Sequence, residues 1–371
     1  MINILYSASG MLMLMFSVLL FTKKKRVKAD VILGSWFIFI LLGILSSYIN
    51  HNELPVWTGF FELVDSSVFL HGPMLWLYTL MLTKSTHEFK KIDILHFVPF
   101  LISLGYLVSP FFSSFEVSES GRNVVLILKM LSLLVYSLAA LFRLRSYRRE
   151  IEDYFSFTDK IQLDWLRFIL IGLLVIWTIS VISQLSYGLK WIDIPQYGGY
   201  YTNLAISLFV LMLGFFGIRQ TQIFSLSEQK QVSNPAVTSS PGVEMTDSDA
   251  ERKDSSDDEE QTLYFKRIVN YMKEEKPFLD GELSIFKLAK QTDTPPYLLS
   301  QIINQEAGVH FFDFVNGYRV NEIIQKMKQG EHKQKTLLSL AIESGFNSKA
   351  SFNRVFKKSI GLTPKQYISQ L

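Results

Sequence analysis

The sequence contains no cysteine. That excludes a disulfide scaffold, a thiolate zinc site and a cysteine nucleophile. Charge is scarce. Asp, Glu, Lys and Arg make up 19% of the 371 residues, against 49% hydrophobic, and the net charge is only +3. So apolar a chain is neither wholly disordered nor an ordinary soluble protein. P-loop, HExxH and GxSxG motifs are missing, and the 6 His residues are scattered without ligand spacing. The expectation is no enzyme, no metal and no cofactor.

What is present divides into three unlike parts: an apolar segment over 1–220, a polar acidic segment over 221–261, and a mixed segment over 262–371. A helix that crosses a bilayer needs about 20 apolar residues, at about 1.5 Å each through about 30 Å of hydrocarbon. Seven stretches qualify, roughly 2–22, 31–49, 58–83, 94–112, 123–142, 167–187 and 198–218. A buried soluble core would need helices with a polar face, which these largely lack.

The loops orient the bundle. Lys23, Lys24, Lys25, Arg26 and Lys28 follow the first stretch, Lys84, Lys90 and Lys91 the third, and Arg143, Arg145, Arg148, Arg149 and Lys160 the fifth. The alternate loops hold only Arg122 and Lys190. Basic residues accumulate on the cytoplasmic side, so the N-terminus is expected outside and everything past residue 219 in the cytoplasm. The opening Met-Ile-Asn-Ile-Leu-Tyr-Ser has no positive charge, unlike a signal peptide.

Ionisable groups inside a bilayer are costly and usually functional. Glu62 and Asp65 in the third stretch and Lys129 in the fifth share a depth about 6–11 Å below the outer surface. Gln184 and Asn203 lie near that level. Two main readings stand: a polar pocket for a signal, open to the outside, or an ion pair stapling two spans. Exposure of Glu62 at the interface is a third. His71, beside Gly72-Pro73, does not share the Asp65 face and reads as a bland polar contact at a kink.

The 221–261 segment holds Pro235, Pro241 and an acidic run through Asp257-Asp258-Glu259-Glu260. It cannot bury enough apolar surface to fold and reads as a flexible tether.

Residues 262–371 read as helices punctuated by Asp280-Gly281, Thr294-Pro295-Pro296, Gly308, Gly330, Gly345, Gly361 and Thr363-Pro364. Leu288-Ala289 recurs as Leu340-Ala341, and Gly308 as Gly361, which marks two helix-turn-helix units at about 283–308 and 336–361. In the second, Ser348 is a good N-cap, Phe352, Val355 and Phe356 form a buried stripe, and Lys349, Asn353, Arg354, Lys357 and Lys358 take the remaining surface. From Phe346 onward there is no acidic residue. Such a helix suits a major groove, with its first turns at bases and Lys357 and Lys358 at phosphates. In the first unit Leu299, Ile302 and Ile303 face inward, and Tyr297, Ser300, Gln301 and Asn304 face outward.

The stretch Leu340-Ala-Ile-Glu-Ser-Gly-Phe-Asn-Ser-Lys-Ala-Ser-Phe-Asn-Arg-Val-Phe-Lys-Lys-Ser-Ile-Gly-Leu-Thr-Pro364, followed by Tyr367, resembles the signature of the AraC/XylS family of bacterial transcription regulators. Phe311 to Tyr318-Arg319 resembles the start of the helix joining that family's two motifs. The resemblance covers 262–371. It implies DNA contacts from Tyr297, Ser300 and Gln301 and from Lys349, Ser351, Asn353 and Arg354. Most members carry a soluble ligand-binding domain, so their ligands do not transfer. A membrane-embedded subgroup is the nearer likeness.

The expected protein is thus all-α: a seven-helix transmembrane bundle followed by a cytoplasmic double helix-turn-helix domain. Its expected partners are double-stranded promoter DNA, the lipid bilayer of the bacterial cytoplasmic membrane, and an unknown small-molecule or membrane-derived signal. Control through a homodimer or through domain release is favoured over rigid rotation, because a flexible tether transmits torque poorly. The alternatives are a transporter-like protein with a fused DNA-binding regulator, and a regulator that is passively anchored.

Overall fold

The computed structural model describes residues 2–24, 26–84, 89–157, 163–188, 205–206, 208–216 and 255–371. The seventh apolar stretch is thus described only in part, and residues 217–254 and Asn203 lie outside the described residues. All regular structure among the described residues is helical, apart from one isolated antiparallel bridge between Phe155 and Ser284. The chain divides into two compact units, residues 1–146 with 163–224, and residues 147–162 with 225–371.

The first unit opens with α1 (Ile2–Thr22) and α2 (Lys28–His51). Met13, Phe16 and Leu20 on α1 and Leu33, Trp36 and Phe37 on α2 are buried. The basic loop between the two helices is locked by Asp30. Its carboxylate accepts from Lys23 Nζ at 2.9 Å and from the Val27 N–H at 3.0 Å, closing the N-terminus of α2.

Next come α3 (Gly59–Thr83), a 3-10 turn (Lys91–Phe97) leading into α4 (Val98–Val108), α5 (Glu119–Tyr154) and α6 (Asp164–Gly188). Buried Trp36 donates from Nε1 to His71 Nδ1 at 3.0 Å, tying α2 to α3 beside Pro73. Outward positions are strongly apolar: Met11 is 73% exposed, Ile102 66% and Phe142 64%. Four of the described helical segments are long and apolar enough to cross a membrane: Asn3–Thr22, Lys28–His51, Lys91–Phe111 and Glu119–Tyr154.

Helices α3 and α5 run parallel. Glu62 meets Arg122, Asp65 meets Lys129, and Arg143 donates from Nε to Thr83 Oγ1 at 3.0 Å. Between them Gly72 meets the Tyr136 ring so closely that a Cβ there would lie 2.5 Å from its Cδ2. The partners ascend in the same order on both helices.

The second unit contains α7 (Ser255–Glu274), α8 (Ile285–Thr292), α9 (Pro296–Ala307), α10 (Phe311–Lys328), α11 (Leu337–Glu343), α12 (Lys349–Ile360) and α13 (Pro364–Ile368). Helix α7 begins within the segment read as tether.

Two cores build this unit. Ile268, Met272, Leu288, Leu299, Ile302 and Ile303 belong to the first, and Ala341, Phe346, Phe352, Val355 and Phe356 to the second. Helix α10 serves both, with Phe311, Phe314 and Val315 in the first and Phe312, Val320, Ile323 and Met327 in the second.

Candidate nucleic-acid interface

Each reading helix is positioned by its caps. The Ser348 hydroxyl accepts from the Ser351 N–H at 3.1 Å and starts α12. Gly361, at φ +80°, ends it in the left-handed region with its N–H on Lys357 O. Helix α9 starts on Pro296 and ends at Gly308, φ +66°. Both helices bury the stripes expected of them: Leu299, Ile302 and Ile303 on α9, and Phe352, Val355 and Phe356 on α12.

Once those stripes are inside, the opposite faces are set. On α9 Tyr297 is 65% exposed, Gln301 and Asn304 are exposed, and Ser300 is half-buried. On α12 Lys349, Asn353, Arg354, Lys357 and Lys358 are exposed, while the capping Ser348 is half-buried. Arg354 lies over the Phe312 ring at 6.0 Å, which holds its guanidinium against α10. Lys358 bridges to both Asp313 oxygens, at 2.7 and 2.9 Å.

One of the expected contact residues is set apart from the others by its burial. Ser351 is only 8% exposed. At one turn from the buried Val355 it shares the inward face of the helix.

The two units of the reading surface are coupled through Arg319 on α10, 1% exposed. Its Nε donates to Phe278 O at 2.8 Å and its Nη2 to Asp280 O at 2.7 Å. Burial pulls its pKa down to about 10, although the Asp280 charge opposes this. Asn347, in the turn before α12, donates to Gly281 O at 2.6 Å. The sequence reading placed Arg319 only at the start of a joining helix. Its spacing of four from both Val315 and Ile323 puts a cation on an apolar stripe, and that signal was available.

In the first unit, Asp65 and Lys129 meet at 2.5 Å, with Lys129 6% exposed and Asp65 52% exposed. Glu62 is drawn instead to Arg122, at 3.1 Å. Gln184 lies within α6, and Asn203 lies outside the described residues.

The C-terminal part of the chain is similar to known proteins. The family described as a helix-turn-helix domain matches residues 288–370. The TCP pilus virulence regulatory protein of Vibrio cholerae serotype O1, in strains ATCC 39541 and ATCC 39315, is 36% identical over 67 residues. That match covers 18% of this chain and 23% of each relative, so the chain spans about a quarter of their length. A solved structure of a protein of unknown function from Listeria innocua is 30% identical over 28% of this chain and 94% of that one, with a TM-score of 0.25. Residues 288–370 thus match a helix-turn-helix domain, at the C-terminal end of a chain whose described regular structure is helical.

Proposed function

We propose that the chain is a membrane-embedded, sequence-specific DNA-binding transcription regulator, a one-component sensor that couples a signal at the membrane to promoter binding. One observation carries the reading. Two helices of a two-motif domain, α9 and α12, each bury an apolar stripe and turn a hydrogen-bonding or basic face to solvent. Phosphate contacts supply affinity and base-edge contacts supply sequence choice. The DNA-facing set is Tyr297, Ser300, Gln301 and Asn304 on α9 and Lys349, Asn353, Arg354 and Lys357 on α12.

The apolar helices of the first unit support the membrane half. A 21-residue α1 without a single charge and a 24-residue α2 suit a bilayer. The parallel pairing of α3 with α5 requires the chain to return between them, which α4 and its preceding turn provide. Seven crossings, an outside N-terminus and a cytoplasmic DNA-binding unit complete the reading. Selection of genomic fragments by the full-length chain in lipid nanodiscs tests it. A defined duplex motif is expected, relaxed at particular bases in Arg354→Ala. Equal retention of all fragments by both proteins overturns it.

A further inference from the structure

A buried guanidinium is costly unless its donors are met. Phe278, Asp280 and Asn316 meet three of the bonds Arg319 makes, the last at 3.2 Å from Nη1. The rest come from far away in sequence. Nη1 donates to Ser156 O at 3.0 Å, and Nη2 to Ser156 Oγ at 3.0 Å. Asn316 Nδ2 donates to the same carbonyl at 3.1 Å. The Ser156 hydroxyl in turn donates to Leu283 O at 2.6 Å, and its N–H reaches that oxygen at 3.2 Å. Ser156 is 2% exposed.

Its neighbours are seated too. The Tyr154 ring stacks on Phe286 at 5.7 Å, nearly parallel at 7°. Phe155 is 4% exposed, bridges to Ser284 and packs tilted against Phe286 at 6.3 Å. Asp153 Oδ1 and His310 Nδ1 are 2.6 Å apart. None of these upstream residues falls within the matched helix-turn-helix domain, which starts at residue 288. They form the last turn of α5 and the residues just after it, and belong by packing to the second unit.

The seat lies at the joint of the two motifs. Phe278 and Leu283 belong to the first core, whereas Phe346, under the Arg319 guanidinium at 6.0 Å, belongs to the second. We propose that residues 153–157 are a docking peptide for the DNA-binding unit. Seated in the Arg319–Asn316 cradle, they fix the angle between the two helix-turn-helix motifs, and their release lowers affinity for DNA sites that span two grooves.

The chemistry suits a reversible clasp. The anchors of Ser156 are hydrogen bonds, and water entering an emptied seat can satisfy the same guanidinium and carbonyls. A purely apolar plug would leave a dry cavity instead. The peptide also gives the unit a second chain connection besides residues 217–254, so domain release acquires a specific form. This extends the DNA-binding reading above and rests on it.

The absence of cysteine makes the test clean. In full-length chain in native membranes, the double variant Asp153→Cys with His310→Cys is treated with a short bis-maleimide, which adds one thiol at each end. It is then cut at a protease site inserted between residues 235 and 245. Fragments that stay joined in the double variant, and separate in either single variant, are the expected result. Separation in all three overturns the docking.

The second arm measures DNA binding in nanodiscs. Phe155→Asp, which puts a charge in the seat and leaves α9 and α12 untouched, is expected to lower affinity for a two-motif site about tenfold. Affinity for an isolated half-site and the salt slope stay unchanged. Ser156→Gly, a milder change, shifts affinity in the same direction by less. Unaltered two-motif affinity in both variants overturns the regulatory role. Failure of the unaltered chain to bind any duplex refutes the DNA-binding reading, while the joined fragments still decide the docking.

Discussion

At Gly345, φ is +91°, and a Cβ would lie 2.2 Å from the Phe278 carbonyl oxygen. Left-handed backbone and an obstructing main-chain atom act together, so neither a rotamer change nor a small shift relieves the clash. Gly345→Ala is expected to cost about 2 kcal/mol or more in unfolding free energy of the second unit, read by chemical denaturation of the full chain. A loss below about 0.5 kcal/mol sinks that account of the turn. Asp280 offers a pH-dependent test. Burial alone raises its pKa. Hydrogen bonds from Lys287 Nζ and the Glu282 N–H, both 2.8 Å, with the Lys287 and Arg319 charges, hold it below its ordinary 3.8. A carboxyl depressed on folding stabilises above the ordinary value and loses that contribution as pH falls through the depressed one. The side chain is 47% exposed, so screening keeps the effect small. The gap in thermal midpoint between wild type and Asp280→Asn is therefore expected to shrink below about pH 4. A gap that stays constant from pH 7 to pH 3 contradicts the assignment.

Helix α12 shows how side chains of one sign on one element divide their work. Lys357 is exposed on the basic face, whereas Lys358 is held by Asp313 of α10. Lys357→Ala is expected to weaken binding to all duplexes alike and to flatten the salt dependence by about one unit. Lys358→Ala removes a solvent-screened pair, changes stability by less than about 1 kcal/mol, and flattens that slope less. Arg354→Ala is expected to relax preference at particular bases by about 1–3 kcal/mol if the contact is bidentate. Binding measured on a matched and a mismatched duplex across salt concentrations separates the three. Equal slopes for all three variants contradict the division. Much of this element is legible in the sequence, because local rules fix it: a Ser cap, a 3.6-residue apolar stripe and a C-terminal glycine. Ser351, 8% exposed, shows how one residue's rotation around the helix decides which side it occupies. The Ser156 seat is not legible, because its partners lie 127 to 163 positions away and no periodicity encodes such a pairing. Nor is the length of α5, which continues past the apolar stretch to Tyr154 because Arg and Glu are good helix formers.

On the scale of the whole molecule, the order of charges and the order of helix contacts constrain topology separately. In the proposed topology, loop basicity puts the first, third and fifth loops on one side. The parallel contacts from Glu62–Arg122 to Thr83–Arg143 place the ends of α3 and α5 on one side without reference to charge. At 36 residues α5 extends about 54 Å, more than a bilayer core of about 30 Å. Its arginine-bearing end therefore has length to leave the hydrocarbon, as positive charge there demands. Single cysteines introduced into the cysteine-free chain test both constraints with one impermeant maleimide. Ser113→Cys, between α4 and α5, is expected to label in spheroplasts of intact cytoplasmic membrane. Lys24→Cys and Gln370→Cys are expected to label only after that membrane is permeabilised. Labelling of Gln370→Cys in intact spheroplasts would place the reading helices away from the chromosome and defeat the DNA-binding role. Protection of Ser113→Cys with Gln370→Cys also protected would instead break the return through α4, and with it the parallel pairing of α3 and α5 across the membrane.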